Sequence, residues 1–123
     1  MSYDLSIMAD KRYSQMVSKA SLASFIASLP DVQPDGPNGF ILDDEETRLM
    51  EIDLELVSEK GGKIKGEEGR NRTEINCLRL HIPYDYFRED GFEDEYLPTA
   101  LAIAEFLGWM LLDEQTGDTW PPS

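Results

Sequence analysis

The sequence is poor in the residues that build redox and metal sites. It has one cysteine, Cys77, and one histidine, His81, in 123 residues. A single cysteine cannot form an internal disulfide, and one Cys with one His cannot supply the ligands of a structural zinc site. On a strand these two positions are about 13 Å apart, too far for a nucleophile–base pair. We therefore expect no metal, no cofactor and a reducing, cytoplasmic compartment.

Basic residues and long apolar runs are also scarce. Eleven Lys and Arg stand against 25 Asp and Glu, which makes the net charge −14. This charge disfavours non-specific binding to nucleic acid or to an anionic membrane. The most apolar window, 97–112, is interrupted by Pro98 and Gly108 and is shorter than the ~20 residues of a membrane-spanning helix. The first residues also lack the pattern of a signal peptide. From the charge and the short apolar window we expect neither a nucleic-acid nor a membrane partner.

What is present suits a single folded domain over residues 1–123. The sequence is 41% hydrophobic and includes five Phe, five Tyr and two Trp, enough apolar surface for one core. Apolar and polar residues alternate most regularly over 47–57 and again over 75–82, which predicts two strands. Residues 31–39 are predicted to be irregular, and the glycine-rich residues 59–74 are predicted to form a mobile loop.

Two helices are predicted between the strands. The first runs from an N-cap at Ser14 to about Leu29, and the second ends at Gly108, a residue type that favours the left-handed position after a helix. The element order is then β-α-β-β-β-α-β. It predicts an α+β fold with two helices on one face of a mostly antiparallel, four- to five-stranded sheet, a variant of the ferredoxin-like arrangement. The other face of the sheet is expected to be polar and open to water or to a partner.

The acidic residues are concentrated in two blocks. Residues 43–59 hold eight acidic residues and one basic residue. Within them Glu51, Asp53 and Glu55 share one strand face, about 6.6–7 Å apart. Such a row is typical of a solvated outer face, and it also suits docking of a basic protein. We expect Arg79 and His81 to lie on the same face and to neutralise it in part.

The second block interleaves acidic and aromatic residues. Residues 83–96 hold six acidic residues, one basic residue and five aromatic residues. Aromatic anchors with an acidic rim are typical of interfaces with basic partners. The alternative is that the aromatic rings fold back into the core while the acids stay in water. The candidate partner-binding residues here are Tyr84, Asp85, Tyr86, Phe87, Glu89, Asp90 and Phe92.

In three segments, 50–57, 84–96 and 107–113, the chain resembles small bacterial immunity proteins of polymorphic or contact-dependent toxin systems. Those are acidic, cytoplasmic, single-domain proteins without cofactors, and they neutralise a toxin by occluding it. The resemblance implies a non-enzymatic immunity or antitoxin-type inhibitor whose partner is a basic toxin domain. Two other functions stay open: a homodimeric structural or regulatory module, and an enzyme that works through carboxylates with the help of a metal.

Overall fold

The centre of the molecule is a seven-stranded sheet in which every neighbouring pair is antiparallel. The structure is a computed structural model that describes residues 2–44, 48–58 and 73–121. The strand order is β3-β4-β5-β7-β1-β8-β9. These strands are β1 (Ser2–Met8), β3 (Val32–Pro34), β4 (Gly39–Asp43), β5 (Leu49–Glu55), β7 (Cys77–Pro83), β8 (Met110–Asp113) and β9 (Thr119–Trp120).

A small ribbon and three α-helices complete the described residues. The ribbon pairs β2 (Val17–Ser18) with β6 (Glu74–Ile75). The helices are α1 (Lys19–Ala27), α2 (Phe92–Glu95) and α3 (Leu97–Leu107), and a 3-10 turn covers Tyr84–Tyr86. Among the helices that the structure describes, none is long and apolar enough to cross a membrane.

One face of the sheet forms the core, and the helices pack against it. Leu5 of β1 lies opposite Leu80 of β7, which in turn lies opposite Ile52 of β5. These side chains belong to one buried cluster with Ile26 of α1 and Ile103 of α3. Side chains that alternate with them point to the opposite face because successive residues of a strand alternate. The described helices therefore leave that second face uncovered.

The α+β class and the mostly antiparallel sheet are confirmed, but the sheet has seven strands instead of four or five. The short strand β3 lies in the segment 31–39 that was expected to be irregular, and the short strand β9 was not predicted. Both are edge strands with a proline at or beside them, Pro34 and Pro121, and proline is tolerated at an edge because one side of the strand needs no N–H donor. The predicted mobile loop at 59–74 lies, except for its last two residues, outside the described part of the chain.

The first helix begins later than its sequence predicts. Its N-cap is Ser18, whose side chain accepts a hydrogen bond from the Ser21 N–H, and not Ser14. Val17 pairs with Ile75 in the β2–β6 ribbon. Strand pairing with a distant segment therefore overrides the local helical pattern. The second helix ends as predicted, since Gly108 has φ of 68° in the left-handed region.

Candidate functional site

The uncovered face of the central strands carries the charged residues. Strand register places Glu51 of β5 and Asp4 of β1 on either side of His81 in β7, and Asp53 opposite Arg79. The predicted sharing of this face by acidic and basic residues is therefore confirmed. Register alone sets this grouping, because each strand contributes every second residue to the face.

At one end of the face, the carboxylates of Asp4 and Asp53 lie beside the histidine, and Glu51 is its cross-strand partner; we call Asp4, Glu51, Asp53 and His81 the acidic patch. His81 Nδ1 lies 2.7 Å from Asp4 Oδ1, and His81 Nε2 lies 3.5 Å from Asp53 Oδ2. Glu51 is exposed and the other three are partly exposed. Although partial burial raises the pKa of Asp4, hydrogen bonds from Ser2 and His81 bring it below its usual value. The patch is thus open to solvent, and the lowered pKa of Asp4 favours its carboxylate form.

At the other end of the face, the polar residues are buried. Glu55 is only 5% exposed, and its carboxylate lies 3.7 Å from Arg79 Nε. Cys77 is fully buried, and burial raises its pKa to about 11. The prediction that Glu55 is an exposed contact residue is wrong. The alternation of β5 assigns Glu55 to the correct face, but other parts of the chain cover that end of it.

Among the described residues, Tyr13 lies near this end of the face. The Asn76 side chain, which is buried, donates hydrogen bonds to the Tyr13 carbonyl at 3.3 Å and the Val57 carbonyl at 2.9 Å, and it accepts one from the Val57 N–H at 2.9 Å. Burial raises the pKa of the Tyr13 hydroxyl, as does the neighbouring Cys77, while Arg79 acts in the opposite sense. Asn76 therefore ties the Tyr13 backbone to the strands β5 and β7 near Cys77.

The second predicted segment follows β7 directly in the chain. The 3-10 turn begins three residues after His81, where β7 ends. Tyr84 is 48% exposed and Tyr86 is 39% exposed, and Asp85 between them is also exposed. The Tyr96 hydroxyl fixes the turn, since it donates to the Tyr86 carbonyl at 2.7 Å and accepts from the Leu49 N–H at 3.3 Å. Glu89 and Asp90, which follow, are exposed as well.

The other aromatic residues of this segment point inward. Phe87 is half-buried, and its ring stacks on Tyr3 at a centroid distance of 4.0 Å and an angle of 8°. Phe92 is buried and lies 5.5 Å from the Tyr3 ring. The assignment of Phe92 to a partner surface is therefore wrong, and Phe87 offers only part of its ring. The expectation that aromatic rings fold back into the core therefore applies to Phe92 and in part to Phe87, whereas Tyr84 and Tyr86 stay at the surface.

A polar groove of about 310 Å³ opens beside the acidic patch. Its lining comes from the β3–β4 turn and from β5: Asp35, Pro37, Asn38, Gly39, Asp53, Leu54 and Glu55. Lys19 of α1 donates a hydrogen bond to the Asn38 side chain at 2.8 Å. Within the described ranges, no three His, Cys, Asp or Glu side chains are grouped so that they could hold a metal ion. The groove therefore extends the negative surface from Asp53 towards the sheet edge.

Neither family models, curated proteins nor solved structures give a match to this chain. The assignment of a site accordingly depends on geometry and charge alone.

Two members of the acidic patch, Asp4 and His81, were not predicted as site residues. Asp4 is far from the acidic blocks in sequence, and its contact with His81 joins positions 77 residues apart. The alternation over Tyr3 to Met8 places Asp4 on the polar face of its strand. Nothing in that pattern says that β1 lies beside β7.

Proposed function

We propose that this chain is a non-enzymatic protein that binds a basic protein partner through the acidic patch and the exposed turn Tyr84–Tyr86. The most concrete form of this role is an immunity or antitoxin-type inhibitor that occludes a basic toxin domain. The observation that supports it is the open end of one sheet face, where Glu51 is exposed and Asp4 and Asp53 are partly exposed, together with two exposed tyrosines in the turn that follows β7. The buried Cys77 suits a reducing compartment, so we place the protein in the cytoplasm. Its fold we interpret as an extended ferredoxin-like variant.

Electrostatics support a basic partner. The chain has a net charge of −14, and the patch collects Asp4, Glu51 and Asp53 around one histidine. A surface of one sign speeds the encounter with a partner of the opposite sign and rejects partners of like sign. Tyr84 and Tyr86 add rigid aromatic area, which is where interfaces concentrate binding energy. Asp85, Glu89 and Asp90 would form the acidic rim.

The same features disfavour a second copy of the chain as the partner. The uncovered face would meet its own negative charge in a symmetric dimer. The edge strands β3 and β9 have three and two residues. Short edges with a nearby proline resist pairing with another strand. A homodimeric module is therefore the weaker proposal.

A carboxylate-based enzyme is the other alternative, because the groove brings Asp35, Asp53 and Glu55 to one surface. Two of these carboxylates already face basic side chains: Glu55 faces Arg79 and Asp53 faces His81. The two carboxylates of a catalytic pair usually have different pKa values, because their environments differ, and one of them is then protonated. We therefore rank this alternative below binding.

Two matched pairs of variants test the proposal. Glu51→Lys and Glu105→Lys make the same charge change at exposed positions, but only Glu51 lies in the patch, whereas Glu105 lies on α3. Tyr84→Ala and Phe106→Ala each remove a ring that is 48% exposed, and Phe106 also lies on α3. Binding would be measured by stopped-flow mixing and by equilibrium titration with the purified protein encoded by the adjacent gene.

We expect Glu51→Lys to slow association about tenfold at low salt and to reduce its salt dependence, and Glu105→Lys to change the rate less than about twofold. Tyr84→Ala should mainly speed dissociation, and Phe106→Ala should not. Equal effects within each pair would show that the surface is assigned to the wrong face. Absence of any binding would contradict the immunity role.

A further inference from the structure

Two adjoining cavities open between the end of α3 and the last strands of the sheet. Their volumes are about 480 Å³ and about 350 Å³, which is within the range of small-molecule sites. Because four residues line both cavities, we treat them as one cleft and call it the tryptophan cleft. The shared lining residues are Ala104, Glu105, Trp109 and Pro121; the larger cavity adds Ala9, Gly108 and Met110, and the smaller adds Leu101 and Trp120.

The walls of the cleft are mainly apolar and include both tryptophans of the chain. Trp109 is only 7% exposed, and Trp120 is partly exposed. The Trp109 backbone N–H donates to the Ala104 carbonyl at 3.0 Å, which fixes Trp109 beside the last turn of α3. Strand register places Trp120 opposite the buried Leu111, so the Trp120 side chain lies on the side of the sheet that the helices cover.

One carboxylate stands in this apolar setting. Glu105 is an exposed residue in the last turn of α3, and among the described residues that line the cleft it alone has an acidic or basic side chain. That turn contains no basic residue. The C-terminal end of a helix carries a partial negative charge that favours cations, so the helix end and the carboxylate act in the same sense. The cleft therefore complements a ligand that is both apolar and positively charged.

We propose that the tryptophan cleft binds a small organic cation of the quaternary or alkylated ammonium class. Tryptophan is the side chain that attracts such a cation most strongly, and the carbon groups on the nitrogen are buried favourably against the apolar walls. A metal ion or a bare ammonium ion lacks the apolar surface that these walls would cover. The cleft lies on the helix side of the sheet and the acidic patch on the other side, so this inference goes beyond the proposed partner and does not depend on it.

Choline chloride is the probe, and two other solutes serve as its controls. Sodium chloride at the same concentration controls for ionic strength, and the neutral alcohol in which carbon replaces the choline nitrogen controls for shape. Binding would be followed by nuclear magnetic resonance through the indole N–H signals of the full chain, because both tryptophans line the cleft.

Three variants accompany the wild-type protein, each checked for an unchanged circular dichroism spectrum. Glu105→Gln removes the carboxylate of the cleft. Glu93→Gln is its matched control, because it removes the same charge at an exposed position on α2, outside the lining of the cleft. Trp120→Leu removes one aromatic ring and keeps an apolar side chain.

For the wild-type protein we expect choline to shift both indole signals saturably and to bind about tenfold more tightly than the neutral alcohol. Glu105→Gln should weaken choline binding about fivefold and leave the affinity for the alcohol unchanged, because the alcohol has no charge for the carboxylate to attract. Glu93→Gln should change choline affinity less than about twofold. Trp120→Leu should weaken choline binding more than alcohol binding, as read from the Trp109 signal, because leucine replaces the apolar contact but not the cation–π contact.

Two kinds of result would overturn this proposal. If choline shifts the indole signals no more than sodium chloride does, or binds no better than the neutral alcohol, the cleft does not recognise an organic cation. If Glu105→Gln and Glu93→Gln weaken choline binding equally, choline responds to the net charge of the chain and not to the cleft. Neither result bears on the partner surface, which is tested with a protein partner on the other side of the sheet, so the two proposals fail separately.

Discussion

Tyr3 illustrates how one side chain can join three distant parts of this chain. Its ring stacks on Phe87 and contacts Phe92, so the segment after β7 is held against β1. Its hydroxyl donates a hydrogen bond to the buried carboxylate of Asp113 at the end of β8. Asp113 also accepts hydrogen bonds from the backbone N–H groups of Gln115 and Thr116, at 3.0 and 3.2 Å. The strand and the turn beyond it therefore depend on one another.

We predict that the Tyr3 hydroxyl stabilises the protein in a pH-dependent manner. Burial, the hydrogen bond to Asp113 and the Asp113 charge raise the pKa of Tyr3 well above that of a free tyrosine. The unfolded chain therefore loses this proton first, near pH 10, so the contribution is complete below about pH 10 and decreases as the pH rises further. Tyr3→Phe should lower the free energy of unfolding by about 1–2 kcal/mol at pH 7.

Urea denaturation at pH 7, 10 and 11 checks this prediction. The difference between wild type and Tyr3→Phe should shrink as the pH increases. The pKa values of Tyr13 and Tyr96 are also raised by burial, so both proteins should lose some stability in alkali. A difference that stays constant across the three pH values would contradict the role given to the hydroxyl.

At the scale of elements, the alternation of apolar residues and the helix-capping residues predicted some strand and helix boundaries well and others poorly. β5 and β7 coincide with the predicted strands to within about two residues, because their apolar faces are buried by the helices and are therefore strictly alternating. The start of α1 was missed by four residues, since Val17 pairs with Ile75 from a distant part of the chain. A pairing partner outside the local window leaves no trace in helix propensity or capping pattern.

The end of α3 is set by backbone conformation, and we predict its energetic consequence. Gly108 has φ of 68°, and a Cβ added there would meet no atom within 4 Å. A substitution is therefore penalised by the left-handed backbone and not by crowding. Gly108→Ala should lower the free energy of unfolding by about 1 kcal/mol, and Gly108→Asn by less, because asparagine tolerates this conformation.

Thermal and urea denaturation of the two variants would measure these differences. The control is the comparison itself, since the asparagine side chain is larger than alanine. If asparagine destabilised the protein more than alanine, steric contact and not backbone conformation would explain the loss.

At the scale of the whole molecule, the distribution of charge distinguishes the two sides of the sheet. The helices cover one side with apolar residues, while the other side presents the acidic patch and leads into the groove lined by Asp35 and Asp53. The net charge is −14, because acidic side chains greatly outnumber the basic side chains that could neutralise them. A compact molecule with this charge is destabilised by its own repulsion.

We expect salt to stabilise the fold. Raising NaCl from about 20 mM to 300 mM shortens the Debye length from about 20 Å to less than 10 Å, and the free energy of unfolding should rise by on the order of 1 kcal/mol. Glu51→Lys should reduce this increase more than Glu105→Lys, because Glu51 lies two residues from Asp53 on one strand face, whereas Glu105 lies on α3. Urea denaturation at the two salt concentrations checks it. A loss of stability with salt would mean that the ion pairs of the sheet outweigh the repulsion.

The sequence by itself determined the α+β class, the alternating central strands, the end of α3 and the acidic character of one strand face. These follow from local periodicity and from conformational preferences of single residues. Tertiary structure decided which end of that face stays open, which rings of 84–96 turn inward, and that Asp4, His81 and Asp53 meet. Those outcomes depend on strand order and register, which are set by packing among segments far apart in the chain, so no local pattern contains them.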